Sequence, residues 1–188
     1  MFLSTNTHDA PKKRESHHAL QRALRAATRS QQMIIDRVVL RFDLARREDY
    51  GLYLNVHHAA LESTKDWWRR EDVGDFVAMT RRLQSDLGDL GIAISSLTPG
   101  VGRSIPDPAR LGLTYVVRGS RLSAGEVRRR VSAQFATSYL DFSPKVTWGQ
   151  FLSQLDAVGE NRENHDRIIQ GAREALAVFI DLLMHAVA

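Results

Sequence analysis

The decisive stretch of this sequence is Leu111-Gly-Leu-Thr-Tyr-Val-Val-Arg-Gly-Ser-Arg-Leu-Ser-Ala-Gly125, an apolar run interrupted by small residues. Its periodicity predicts a helix with one nearly bare face. The residues on that face are Gly112, Tyr115, Gly119 and Ser123. Glycine inside a helix costs about 1 kcal/mol relative to alanine, so these glycines indicate close approach of a ligand or of another backbone. Taken alone, the residues favour the second alternative, tight packing of two helices.

The composition is that of one globular domain. The chain has 188 residues, of which 43% are hydrophobic, enough to bury a sizeable core. It has no cysteine, which excludes disulfides, cysteine-ligated zinc, iron–sulfur clusters and thiol nucleophiles. No segment approaches the roughly 18 apolar residues of a membrane span, and residues 1–18 lack the apolar core of a signal peptide. We therefore expect a cytoplasmic protein with no membrane partner.

The positive charge of the chain does not by itself indicate nucleic acid. The formal net charge is +4 and the sequence pI is about 9.8. However, the arginines are scattered over many helical faces, and Arg128, Arg129 and Arg130 necessarily spread around a helix. Aromatic residues do not alternate with them as stacking platforms would. Most of these charges are interpreted as solvated surface, and nucleic acid is not expected as a partner.

Apolar periodicity predicts an all-α fold without strands or internal repeats. Residues 1–18 are predicted to be a flexible tail, and 19–188 a single domain. The helices are predicted over 18–39, 49–67, 73–90, 107–139, 148–158 and 166–186, with a proline-rich loop at 97–108. The long helix 107–139 is predicted to kink between Gly119 and Gly125. Thr147 is predicted to cap the helix that follows.

Few chemical motifs are present. The sequence contains no glycine-rich phosphate loop, no nucleophile elbow and no H-E-x-x-H pattern. His57 and His58, on the second predicted helix, are the best-placed imidazoles. A histidine on such a face is more often a core or boundary residue than a metal ligand. Most enzyme classes therefore have no support in the sequence.

Three segments in order nevertheless resemble a known family. They are Leu24-Arg-Ala-Ala-Thr-Arg-Ser-Gln-Gln32, then Arg41-Phe-Asp-Leu44 followed by a helix with His58, and finally the segment 111–122. The sequence resembles the heme oxygenase superfamily, especially the bacterial branch that supplies biliverdin to phytochromes. The resemblance implies a single-domain helical bundle in which heme lies between the first helix and a kinked distal helix.

The resemblance also implies roles for individual residues. Arg25 stands at the position of a basic residue that pairs with a heme propionate, and Arg29 lies one turn further; the alternative for both is ordinary helix surface. Tyr115, Gly119, Ser120 and Ser123 would belong to the distal wall. In the family, the iron-ligating histidine occupies the position that holds Gln32 here, and Ser123-Ala124 replaces a Gly-Gly pair of the family pattern. A neutral amide is a poor substitute for imidazole.

Three hypotheses follow, and whether the chain is an enzyme stays open. The first is a degenerate heme oxygenase-like protein that has lost heme degradation and binds a tetrapyrrole, another ligand or a regulatory partner. The second is an active heme oxygenase that uses His57 or His58 as a substitute iron ligand. The third is a regulatory module for a phytochrome, a sensory kinase or another signalling protein.

Overall fold

The computed structural model describes residues 19–95 and 105–188, and these ranges contain helices and no strand. The all-α prediction is confirmed. The α-helices are α1 (Ala19–Val39), α2 (Arg47–Ser63), α3 (Val73–Asp89), α4 (Asp107–Ser120), α5 (Ala124–Arg130), α6 (Trp148–Val158) and α7 (Arg162–Ala186). Two 3-10 turns, Lys65–Trp67 and Arg121–Ser123, follow α2 and α4. The predicted tail 1–18 and residues 97–104 of the predicted loop lie outside the described residues.

Helix α7 packs against α1, α2 and α4 and so joins the main layers of the fold. Its contact with α4 is unusually close, because a Cβ on Gly112 would lie within 3.0 Å of the α7 backbone at Ile168 and Ala172. A Cβ on Gly171 of α7 would in turn collide with the backbone of Ala109. Only residues without a side chain allow two helices to approach in this way. The interpretation of Gly112 as a helix-packing residue is confirmed.

The kink in the distal helix is confirmed, but the helix is shorter than predicted. The 3-10 turn Arg121–Ser123 separates α4 from α5, and α5 ends at Arg130 rather than continuing to Tyr139. Beyond Arg130 the backbone bonds to other parts of the chain: the Asp86 carboxylate accepts from the N–H groups of Ser138 and Tyr139. These long-range hydrogen bonds replace the helical ones that the periodicity predicts.

Helix ends agree with the prediction where a local cap determines them. Thr147 caps the start of α6, as predicted, and Gln150 completes a capping box there. Helix α7 begins at Arg162, four residues before the predicted start, because the Asn161 side chain accepts a hydrogen bond from the Glu163 N–H. Helix α2 spans Arg47–Ser63: it starts just before Asp49, as predicted, but its predicted end at Trp67 is wrong, because residues Lys65–Trp67 form a 3-10 turn. None of the described helices combines the length and the apolarity that a membrane span requires.

Candidate functional site

A cavity of about 520 Å³ lies between α1, α2, α7 and the segment that runs from α4 into the following 3-10 turn. Tyr139 and Trp148 complete its wall. Binding sites for small molecules and cofactors commonly measure roughly 300–1,000 Å³. The cavity is therefore large enough for a cofactor-sized ligand.

The cavity brings together most of the site residues that the sequence predicts. Those on its wall are Arg25, Gln32, His57, Tyr115, Gly119, Ser120 and Ser123. The structure places Arg29 on the exposed surface of α1 and buries His58 in the contact between α2 and α3. His58 Nε2 lies 3.3 Å from Nε2 of Gln84, so His58 is a core histidine and is not placed to contact a ligand in the cavity.

The small residues of the distal segment have two different roles. Gly112 allows α4 and α7 to touch, as described above, whereas Gly119 lines the cavity. A Cβ on Gly119 would lie 3.7 Å from Cη2 of Trp148, which is an ordinary contact. The Ser123 hydroxyl donates to the Ser120 carbonyl at 3.0 Å and so stays on its own segment. The cavity thus remains open with serine at position 123.

One end of the cavity, the Arg25 end, presents a cation beside a hydroxyl. Arg25 is exposed and donates a hydrogen bond to the Tyr115 hydroxyl. Burial raises the pKa of Tyr115, and the Arg25 charge and hydrogen bond oppose that rise. The Tyr115 ring packs on Trp148, with 5.5 Å between the ring centroids. A guanidinium and a phenol side by side are suited to binding a carboxylate.

A second part of the wall is an aromatic group that we call the His57 cluster. It consists of Tyr53, His57, Tyr139 and Phe179. The Tyr139 hydroxyl shares a hydrogen bond of 2.8 Å with His57 Nδ1. Burial lowers the pKa of His57 to about 3, and the positive charge of Arg121 adds to this effect. The imidazole is therefore neutral at physiological pH, and no described residue bonds its Nε2.

Two buried carboxylate systems hold the walls in place. Asp86 is fully buried and fixes the backbone of Tyr139, which gives the irregular segment after α5 a defined position. Arg118 is 6% exposed, and its Nη2 donates to Asp72 at 3.0 Å and Asp75 at 2.9 Å. This ion-pair system fastens α4 to the start of α3. Both systems keep the cavity residues of α4 and Tyr139 at fixed positions.

The fold is similar to that of a solved enzyme. The chain matches the heme oxygenase from Neisseria meningitidis, crystallised in NO-bound and CO-bound forms, with a TM-score of 0.73. The match covers 89% of this chain and 91% of that chain at 20% sequence identity. The chain has the heme oxygenase fold. No protein-family model and no curated protein matches it.

The heme oxygenase fold implies a heme, and the cavity residues fit parts of that group. The volume and the largely apolar wall suit a flat macrocycle, and the Arg25 end suits an acidic side chain of that macrocycle. Iron requires an imidazole, thiolate, thioether or phenolate ligand. Gln32 offers only an amide, and burial raises the pKa of Tyr53 and Tyr139 and so keeps both phenols neutral. The position that the resemblance assigns to the iron ligand therefore carries no side chain suited to iron.

The remaining imidazole on the described wall is that of His57. Its Nδ1 is engaged by Tyr139, which leaves Nε2 as the nitrogen available to a ligand. Within residues 19–95 and 105–188, no group of three or more His, Cys, Asp or Glu side chains could hold a metal ion. The described wall thus offers an apolar surface and one imidazole, that of His57, and no metal site built from several side chains.

Sequence reasoning missed two cavity residues, Arg121 and Tyr139. Arg121 stands at the variable position, x, of the family pattern Gly-Ser-x-Leu. The pattern therefore does not predict a function for Arg121. Tyr139 was placed at the end of a long helix, whereas it lies in an irregular segment fixed by Asp86. Tyr53 and His57, by contrast, are four residues apart within the second predicted helix and so share a face of α2.

Proposed function

We propose that this chain binds a tetrapyrrole in the cavity and does not degrade heme. The observation that carries the proposal is Gln32, which lines the cavity where the resembled family has its iron-ligating histidine. An amide in place of imidazole removes the bond that holds the iron and tunes its reactivity toward oxygen. The cavity itself is open and of cofactor size, which favours binding of a similar flat molecule.

Two features of the wall support a tetrapyrrole as the class of ligand. The Arg25 end offers a guanidinium and a hydroxyl to a carboxylate, the acidic group of natural tetrapyrroles. Between that end and the His57 cluster the wall is formed by Val116, Val117, Gly119 and side chains of α1 and α7. A flat apolar ligand with an acidic edge is complementary to this arrangement.

Titration of the purified protein with protoporphyrin IX and with hemin tests the proposal. We expect both molecules to quench the tryptophan emission at a stoichiometry of one, because Trp148 lines the cavity. We also expect similar affinities for the two, since the iron gains no ligand from Gln32. Hemin that binds with a sharp Soret band and is converted to biliverdin on addition of a reductant contradicts the proposal. Failure of hemin, protoporphyrin IX and biliverdin alike to bind contradicts it as well.

A second candidate function is an active heme oxygenase that opens hemin to biliverdin, carbon monoxide and ferrous iron. The observation in its favour is His57, a neutral imidazole on the cavity wall whose Nε2 has no partner among the described residues. His57→Ala separates the two functions, and His58→Ala is the matched control because His58 bonds Gln84 outside the cavity. Loss of an imidazole-bound hemin spectrum in His57→Ala alone would favour the second function.

A signalling partner remains a proposal that the resemblance supplies. A phytochrome or a sensory kinase that accepts a tetrapyrrole from this chain is the expected class. Recovery of such a protein in stoichiometric amount from the native cells would support this proposal if it is lost with Arg25→Ala, because Arg25 is expected to hold the ligand in the cavity. Equal recovery with Arg25→Ala would assign the interaction to another surface.

A further inference from the structure

Arg121 is a cation on the cavity wall without an anionic partner. Its side chain is half-buried, and Nε is fully enclosed with no hydrogen-bond acceptor. One Nη donates to the Tyr139 carbonyl at 3.0 Å, and the guanidinium lies 4.3 Å from the centroid of the Tyr139 ring. Across the described ranges, 19–95 and 105–188, no carboxylate forms an ion pair with Arg121.

The contrast with Arg118, three residues earlier, is informative. Arg118 is more deeply buried and its Nε likewise has no acceptor, but Asp72 and Asp75 lie within 3.0 Å of its Nη2 and neutralise its charge. Enclosed charges in proteins are paired as a rule, because an unpaired one loses its hydration without compensation. The fold supplies that pairing for Arg118 and leaves Arg121 to face the cavity. The missing acceptor is therefore expected to come from the ligand.

The aromatic neighbours of Arg121 provide no negative charge, and the exposed carboxylate of Asp36, which also lines the cavity, forms no ion pair with Arg121. Burial raises the pKa of Tyr53 and of Tyr139, so both hydroxyls stay protonated. His57 is neutral and its pKa is lowered further by Arg121. This side of the cavity thus holds hydrogen-bond donors around one positive charge, and it suits an oxygen acceptor with negative or partial negative charge.

Arg121 is also separated from the Arg25 end of the cavity. It follows Tyr115 by six residues, which corresponds to about 9 Å along a helix. A closed porphyrin carries its acidic groups on one edge and hydrocarbon on the opposite edge. An open-chain tetrapyrrole carries carboxylates at its middle rings and a carbonyl oxygen on each end ring. Only the open-chain molecule has oxygen acceptors for both ends of this cavity.

We propose that Arg121 binds an end-ring carbonyl oxygen of an open-chain tetrapyrrole and so makes the cavity selective for that class over closed porphyrins. The inference rests on the proposed function, because it refers to the same cavity. Arg25 and Tyr115 bind a carboxylate at one end, and the Arg121 guanidinium binds the carbonyl oxygen at the other. The tetrapyrrole between these two ends lies against the apolar wall.

The test compares biliverdin with protoporphyrin IX as probes, using the full chain and three variants. Arg121→Gln removes the charge, Arg121→Lys keeps it, and Arg129→Gln removes an exposed charge elsewhere as the matched control. We expect Arg121→Gln to weaken biliverdin binding about tenfold or more, the usual effect of losing a hydrogen bond from a charged donor. Protoporphyrin IX binding should change less than threefold, Arg121→Lys should be intermediate, and Arg129→Gln should match the parent chain.

The outcomes separate this inference from the proposed function. If the parent chain binds both probes and Arg121→Gln leaves biliverdin unchanged, Arg121 is not a ligand contact and the inference is wrong while the proposed function stands. An equal loss for both probes in a folded Arg121→Gln variant also overturns the inference, and far-UV circular dichroism shows whether the variant is folded. If Arg121→Gln is unfolded, Arg121→Lys decides: equal loss of both probes in a folded Lys variant rejects the inference, and selective loss of biliverdin supports it. If the parent chain binds neither probe, both proposals fail.

Discussion

The closest helix contact in this fold gives a quantitative prediction for Gly112→Ala. The added methyl group would lie within 3.0 Å of backbone atoms of Ile168, Gly171 and Ala172, which cannot rotate away as a side chain can. Overpacking of this kind costs about 1–3 kcal/mol. Because the obstacle is backbone, we take the upper value of the overpacking cost, about 3 kcal/mol. Alanine stabilises a helix by about 1 kcal/mol relative to glycine, which offsets part of that cost. The net loss of about 2 kcal/mol corresponds to a fall in Tm of about 4–8 °C for a chain of this size.

Thermal unfolding followed by circular dichroism measures this change, with Gly125→Ala as the matched control. A Cβ on Gly125 meets nothing within 4 Å, so the control should melt at the parent temperature or up to a few degrees higher. The close α4–α7 contact is refuted if Gly112→Ala melts like the control. Tetrapyrrole binding by Gly112→Ala, measured below its Tm, separately reports whether α4 has moved.

Two further perturbations test the electrostatics. The pKa of His57 is lowered from 6.5 to about 3, so on acidification the unfolded state takes up a proton at a higher pH than the folded state does. The free energy of unfolding should therefore fall as the pH drops from about 6.5 towards 3. His57→Gln should reduce that slope by up to about 1.4 kcal/mol per pH unit in urea titrations, and an unchanged slope would show that the imidazole is not enclosed. Arg118→Ala should cost about 3–5 kcal/mol because it leaves Asp72 and Asp75 buried without a cation. Replacing both aspartates by asparagine in that variant should restore part of the loss in the same unfolding assay, and no recovery would assign the loss to packing.

Local signals in the sequence predicted the features that neighbouring residues determine. Thr147 caps α6 as expected, and Gly91, just after α3, has a φ of +62°, a conformation that glycine adopts without strain. The kink after Gly119 follows from the small residues there. In each case the physical cause lies within a few residues of the feature, so the sequence alone contains it.

Features fixed by distant contacts were not predictable in the same way. The end of α5 at Arg130 depends on Asp86, which binds the backbone more than fifty residues away. His57 and His58 are adjacent on α2, and only the packing of α3 and α7 decides that the first lines the cavity while the second bonds Gln84. The importance of Arg121 depends on the absence of a carboxylate near it in the described ranges, which a sequence cannot reveal.

The substitution Gln32→His gives the most direct test of the claim that this cavity binds a tetrapyrrole without degrading heme. Gln32 is exposed on the cavity wall, so the change should not disturb the core. With hemin and a reductant, we expect the parent chain to form no biliverdin, and Gln32→His to acquire the absorption spectrum of imidazole-bound hemin. Formation of biliverdin by the parent chain would contradict this account.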